Sequence, residues 1–224
     1  MSTRFSCADP LLYADMRQAL LLDAKVLYDA PDGLLLRRES KLFAAGEAIE
    51  RLPAFLQSGM ALIRDEALNR RMMQQERFAE SLEVVQLVYT GRRPEPVACP
   101  AQIRRMELSD MDFVLRSYHH PNSRPAYIKA RIRELMLGAY IGGEPVGCIG
   151  VHEEGAMGML EVLPAYRRMG IGRALETALI QWLTDRGRIA YCHVAPDNEV
   201  SLRLQADLGL KACAQPLYWL YKPL

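Results

Sequence analysis

Arg167, Gly170 and Gly172 stand in the run LEVLPAYRRMGIGRALETALI, where a short apolar stretch gives way to a longer amphipathic one. Two glycines one residue apart, beside paired positive charge, suit a backbone that must come close to something anionic. Without Cβ atoms, successive amide N–H groups can face a pyrophosphate, and a helix start adds partial positive charge. Arginine supplies a forked donor that stays charged. Two other phosphate-cradling patterns fail here. A P-loop needs Lys-Ser or Lys-Thr after its second glycine, whereas Arg173-Ala174 follow Gly172. A dinucleotide fingerprint needs glycine where Leu175 stands, and a turn directly after the strand, whereas Ala165 to Met169 intervene. The bland alternative is a strand-to-helix turn whose glycines only solve a backbone problem, with surface arginines beside it.

A motif of this kind needs a strand before it and a helix after it. GMLEVLP predicts the strand. GRALETALIQWLTDRG predicts the helix: Ala174, Leu175, Ala178, Leu179, Trp182 and Leu183 share one apolar face, and Gly187 ends it. Upstream, QIRRMEL reads as a strand and SDMDFVLRSYHH as a helix capped by Ser109, with acids in its first turn. SRPAYIKARIREL reads as a second helix, and LGAYIGGEPVGCIGVHEEG as two strands joined at Gly142-Gly143-Glu144. Downstream come a strand in IAYCHVAP, a helix in DNEVSLRLQADLG begun by Asp197 or Asn198, and a final strand in LYWLYKPL.

The proline-rich TGRRPEPVACPAQIRRM marks a boundary near residue 95, because proline removes amide donors and turns its predecessor away from helix. Two domains follow, 1–95 and 96–224. In the first, AKVLYDAPDGLLLRRES reads as two strands around an Asp-Gly turn. LFAAGEAIERLPAFLQ suggests a strand and a short helix stopped near Pro53, DEALNRRMMQQERF a helix, and LEVVQLVYTG a buried strand.

With 28 basic and 27 acidic residues the formal charge is +1. Pairs such as Arg37-Arg38, Arg70-Arg71 and Arg104-Arg105 are scattered among acids, so no nucleic-acid stripe forms and no nucleic-acid partner is expected. The five cysteines show no metal or redox spacing, which suits reduced thiols in a cytoplasmic protein. No metal is expected. The apolar run near the start is broken by Asp15, Arg17 and Asp23 before a signal-peptide core develops. No run approaches the roughly 20 apolar residues that span a bilayer, so no membrane partner is expected either.

LEVLPAYRRMGIGRALETALI resembles the acyl-coenzyme A binding signature of the GNAT superfamily of N-acetyltransferases. A second match follows in NEVSLRLQADLGL, where Asn198, Ser201, Leu204, Gly209 and Leu210 fall at the family's spacing. The resemblance covers about residue 100 to the end. It is closer to the glycine N-acyltransferase-like branch, in which a degenerate GNAT-like half precedes the catalytic one. The fold this implies is α/β (α+β mixed): a central mixed, splayed sheet flanked by helices, preceded by a smaller degenerate GNAT-like half that shapes the acceptor site.

The resemblance also implies where acetyl-coenzyme A lies, in an opening between the GMLEVLP and IAYCHVAP strands. Its pyrophosphate would sit on the amides of Arg168, Met169, Gly170, Ile171, Gly172, Arg173 and Ala174, with Arg167 nearby. Its pantetheine would run beside Leu160, Val162 and Leu163, and an N–H at or near Val162 would polarise the thioester carbonyl. Asn198 and Ser201 complete the expected binding set, with Asn198 orienting the cofactor amide or capping its helix.

Two departures from the family stand out. The usual acid, a tyrosine seven residues after the asparagine, is replaced by Gln205. The glutamate early on the central strand of the glycine N-acyltransferases aligns with Ala156. Glu161 is the candidate base, because it interrupts an apolar strand where partial burial raises a carboxyl's pKa; its alternative is a rim carboxylate or a partner for Arg167. His193 is a candidate relay or a packed core histidine. His152-Glu153-Glu154 and His119-His120 read as solvent-facing loops, and Tyr218 and Trp219 as sheet filling. The expected activity is acetyl transfer to a small amine such as an amino acid. A non-catalytic acyl-coenzyme A module and a protein N-terminal acetyltransferase are the alternatives. A homodimer is compatible with all three.

Overall fold

Leu-rich and Ala-rich strands explain the first half of the chain. β2 (Gly33–Arg38) and β3 (Lys41–Gly46) are buried along almost their whole length, so both faces of their sheet must be covered. Leu34, Leu36, Phe43 and Ala45 point to one face, with Met16 and Ala19 of helix α1 (Ala14–Leu21). Leu35, Leu42 and Ala44 point to the other, with Leu68 and Met72 of helix α2 (Glu66–Gln74). Each fully buried leucine of this kind contributes about 1.5–3 kcal/mol. The computed structural model describes residues 9–46, 48, 51, 59–75, 78–120 and 123–222. The short helix expected near Pro53 lies outside them.

The chain forms two compact units that do not follow chain order. The first gathers residues up to 90, residues 153–155 and those from 191 onward; the second holds 91–152 and 156–190. In the first, β1 (Lys25–Ala30), β2, β3, β4 (Gly59–Ile63), β5 (Glu80–Tyr89), β10 (Tyr191–Val194), β11 (Leu210–Ala212) and β12 (Leu217–Lys222) make one eight-stranded sheet. β5 lies between β10 on one side and β12 and β11 on the other. The first half's last strand is thus flanked by strands from the end of the chain. β3 and β4 run parallel and the other pairs are antiparallel, so the sheet is mixed. The β1–β2 turn is Pro31-Asp32, and Gly33 opens β2 instead of closing the turn. A Cβ at Gly33 would fall only 2.7 Å from the Ala45 carbonyl oxygen.

In the second unit, β6 (Gln102–Arg105), β7 (Met136–Ile141), β8 (Glu144–Val151) and β9 (Met157–Val162) form an antiparallel sheet in that order, with β9 at its edge. Helices α3 (Met111–Ser117) and α4 (Pro125–Leu135) pack Phe113, Val114, Ile128 and Ile132 on Met136, Cys148 and Met159. Helix α5 (Ile171–Thr184) buries Ile171, Ala174, Leu175, Leu179 and Leu183. Ser109 does not cap α3. It sits inside a 3₁₀ turn, and the capping box belongs to Glu107 and Asp110, each side chain accepting from the other's backbone. Helix α6 (Glu199–Asp207) follows β10 in the first unit. Among the described residues, no helix is long and apolar enough to cross a membrane.

Candidate active site

The segment from β9 to α5 is built by three local devices. The first is a bulge. β8 and β9 pair Gly147 with Val162 and Cys148 with Glu161, but Gly150 then pairs with Gly158, so Met159 and Leu160 oppose Ile149 alone. Met159 takes φ +58 there, a conformation that a side chain disfavours. A bulge leaves one backbone group out of the ladder and re-aims its neighbours.

The second device is the loop. The Leu163 N–H donates to the Val146 carbonyl at 2.9 Å, and the Tyr166 N–H donates to the Leu163 carbonyl at 2.9 Å. Arg167 folds back, donating from Nε to the Val162 carbonyl at 2.9 Å. Arg168 and Gly170 then both adopt left-handed φ, +62 and +78, with Met169 between them. Such turns line N–H groups toward one point, a concavity suited to an anion.

The third device is the opening of α5. Gly170 is its N-cap, no side chain among the described residues caps it, and the first bond of the turn runs from the Ala174 N–H to the Gly170 carbonyl at 3.0 Å. The amides of Ile171 and Gly172 precede that bond, where a helix leaves donors unanswered. The two glycines differ. Gly170 is needed for its φ. Gly172 is helical, and a Cβ there would meet nothing nearer than Val162 Cγ2 at 3.9 Å. Protein packing would accept a larger residue at 172, so the backbone problem alone does not account for this glycine. Space kept open above helix-opening amides, with Arg167, Arg168 and Arg173 exposed around it, fits a diphosphate. The residues present therefore suit the phosphate end of a coenzyme.

Glu161 is half-buried on β9. Burial lifts its carboxyl above the ordinary 4.5, while the Arg167 and His119 charges pull it partly back. Its carboxylate makes no hydrogen bond among the described residues. Directly across the ladder, Cys148 is fully buried, and desolvation plus the Glu161 charge push its thiol up to about 12, which leaves it inert near neutrality.

Sequence reasoning missed a pair on the same face of β9. Tyr127 of α4 and His152 hydrogen bond, hydroxyl to Nδ1, at 2.7 Å. A Cβ at Gly158 would collide with the His152 ring, so that glycine makes room for the histidine. The signal available was only Gly158 itself. His152 is accordingly half-buried and Glu154 buried, so the solvent-facing reading of His152-Glu153-Glu154 is corrected; His119 and His120 are exposed.

Asn198, Ser201, Gln205 and His193 belong to the first unit. Asn198 caps α6, its Oδ1 accepting from the Ser201 N–H at 3.1 Å. Gln205 is buried. His193 Nε2 meets Gln86 Oε1 at 2.9 Å and sits edge-on to Tyr191 and Trp219, as a packed histidine does. Tyr218 and Trp219 are buried within β12. Among the described residues no three His, Cys, Asp or Glu side chains gather to hold a metal.

Residues 102–210 match the model of the acetyltransferase (GNAT) family. That stretch, a little under half of the chain, is thus similar to the GNAT acetyltransferases, a family that generally uses acetyl-coenzyme A. No curated protein matches it. A solved Drosophila protein is similar in fold at TM-score 0.67 and 19% identity, over 85% of this chain and 74% of that one. A GCN5-related N-acetyltransferase from Kribbella flavida is similar at 0.58 and 14% identity, over 97% and 96%. A tandem GNAT protein from the clavulanic acid biosynthesis pathway is similar at 0.50 and 12% identity, over 94% and 88%.

Proposed function

We propose that the protein is an acetyl-coenzyme A dependent N-acetyltransferase that acts on the amine of a small molecule. The observation that carries this reading is Gly172, a glycine that neither backbone conformation nor packing requires, at the opening of α5 beside three arginines. Arg168 to Ala174 hold the diphosphate through their amides, and Arg167 adds charge. When bound, the coenzyme supplies an acetyl thioester.

The chain's own residues do the rest. Glu161 takes the proton of the attacking amine, directly or through one water; its raised pKa brings it toward the task. A main-chain N–H at the Met159–Leu160 bulge or at Val162 answers negative charge developing on the acyl oxygen, a contribution of about 2.7–4 kcal/mol for one donor. The amine nitrogen gains the acetyl carbon, the carbon–sulfur bond breaks, and sulfur leaves as thiolate. With an ordinary thiol pKa near 8.5 it departs without a strong acid, so Gln205 at the usual acid position is tolerable. Positioning of the two reactants accounts for a larger share, about 7–11 kcal/mol.

Gln205 and Ala156 favour a second reading, in which acyl-coenzyme A is held without turnover. Thiol release with a panel of amines separates the two. Acceptor-dependent thiol supports the enzyme; tight binding without it supports the holding module. No binding of acetyl-coenzyme A at all overturns both.

A further inference from the structure

An open pocket of about 340 Å³ lies in the second unit, on the face of the sheet covered by α3. Phe113, Arg116 and Ser117 come from α3, Glu144 from the start of β8, and Leu163 and Tyr166 from the end of β9 and the turn after it. Its walls are mostly apolar, and its charged groups are of opposite sign. Arg116 and Glu144 do not pair with each other, and neither forms an ion pair or hydrogen bond among the described residues; the Tyr166 hydroxyl is likewise unanswered. Ser117 is the exception, donating to the Phe113 carbonyl at 2.8 Å. Leu163 begins two residues past Glu161, and the Ser117 side chain reaches Cys148, the cross-strand neighbour of Glu161. The pocket is therefore next to the candidate base.

The geometry points to this pocket as the acceptor site, and to the acceptor as a small basic amino acid. Arg116 takes the carboxylate as a forked donor. Glu144 takes the side-chain cation, Phe113 and Leu163 cover the aliphatic stem between them, and the α-amine is left for Glu161. This inference rests on the acetyltransferase reading and adds to it the class of substrate and two residues that select it.

The test uses the full chain with acetyl-coenzyme A and four acceptors: lysine, norleucine without the side-chain cation, and lysinamide and cadaverine without the carboxylate. Lysine is expected to be used best, with the loss of either charged group lowering kcat/KM by about 10–100-fold through KM. Arg116→Gln should bring lysine down to the level of lysinamide, and Arg116→Lys should restore part of the difference. Glu144→Gln should bring lysine down to norleucine while leaving norleucine unchanged. Equal use of all four acceptors, no use of any, or a uniform loss in Arg116→Gln would overturn the assignment. Calorimetric titration with acetyl-coenzyme A alone separates the levels: if the coenzyme binds, these failures concern the pocket only, and if it does not, the acetyltransferase reading falls with it.

Discussion

The two compact units treat their polar groups differently. In the first, a set of buried polar side chains is answered inside the protein. Asp15, fully buried, pairs with Arg64, whose Nε and Nη1 also donate to the Leu12 and Ala44 carbonyls, both at 3.1 Å. Gln86 meets His193 and the Leu11 and Leu12 carbonyls, Tyr191 donates to the Glu154 carbonyl, and Lys41 pairs with Glu153. In the second unit, the β9–α5 segment keeps its polar groups near solvent: exposed arginines, one of them folded back on the Val162 carbonyl, a helix opening at Gly170 with no side-chain cap among the described residues, and a half-buried Glu161 carboxylate with no hydrogen bond among them. A buried polar group left unanswered is costly, whereas an exposed and convergent one remains available for a ligand. On the proposed reading, the contrast assigns these paired side chains of the first unit to structure and the groups of the β9–α5 turn to chemistry.

Mutations can break that contrast from either side. The largest expected effect is Asp15→Ala, which strands the Arg64 charge and should cost about 3–5 kcal/mol in chemical denaturation; a loss under 1 kcal/mol would mean the pair is not structural. Next is Glu161→Gln, expected to lower kcat by about 10²–10⁴-fold with little change in coenzyme affinity.

The same carboxyl fixes two pH signs. A base works deprotonated, so the rate should fall as pH drops through a value above 4.5, and removing the Arg167 charge should move that limb to higher pH. In folding the sign reverses. A carboxyl harder to ionise in the folded state gives up stability as pH rises from its unfolded value through its folded one, and Glu161→Gln should lack that decline. A melting curve with the same pH dependence in both proteins would contradict this.

Gly172→Glu comes third. It should weaken acetyl-coenzyme A by about a hundredfold in calorimetry while the melting temperature holds, because the protein leaves room for the side chain and the added charge opposes the diphosphate. Retained affinity would mean that the α5 opening is not the cradle. The smallest effect is Asn198→Ala, about 1 kcal/mol of stability for a lost helix cap.

What the sequence made legible was local. The apolar period of α5, the strand before it and the glycine–arginine run between them are set by neighbours in the chain, and each stands where its pattern placed it. What it hid was non-local. The bulge at Met159 appears only when β9 is laid against β8, and the role of Gly158 only when His152 folds onto it. The placement of β5 between β10 and β12 joins residues more than a hundred positions apart. Glu154 looked like loop surface because nothing near it in sequence buries it; Tyr191, on a distant strand, bonds its backbone. The cap of α3 failed for a smaller reason. Ser109 had the right type, but Glu107 and Asp110 together satisfy both backbone donors of the turn.

The most direct test of the α5 cradle follows backbone amide resonances of isotopically labelled protein during titration with coenzyme A. The largest shifts should fall on Arg168 to Ala174 and saturate together. Binding that saturates while those amides stay in place would contradict the account.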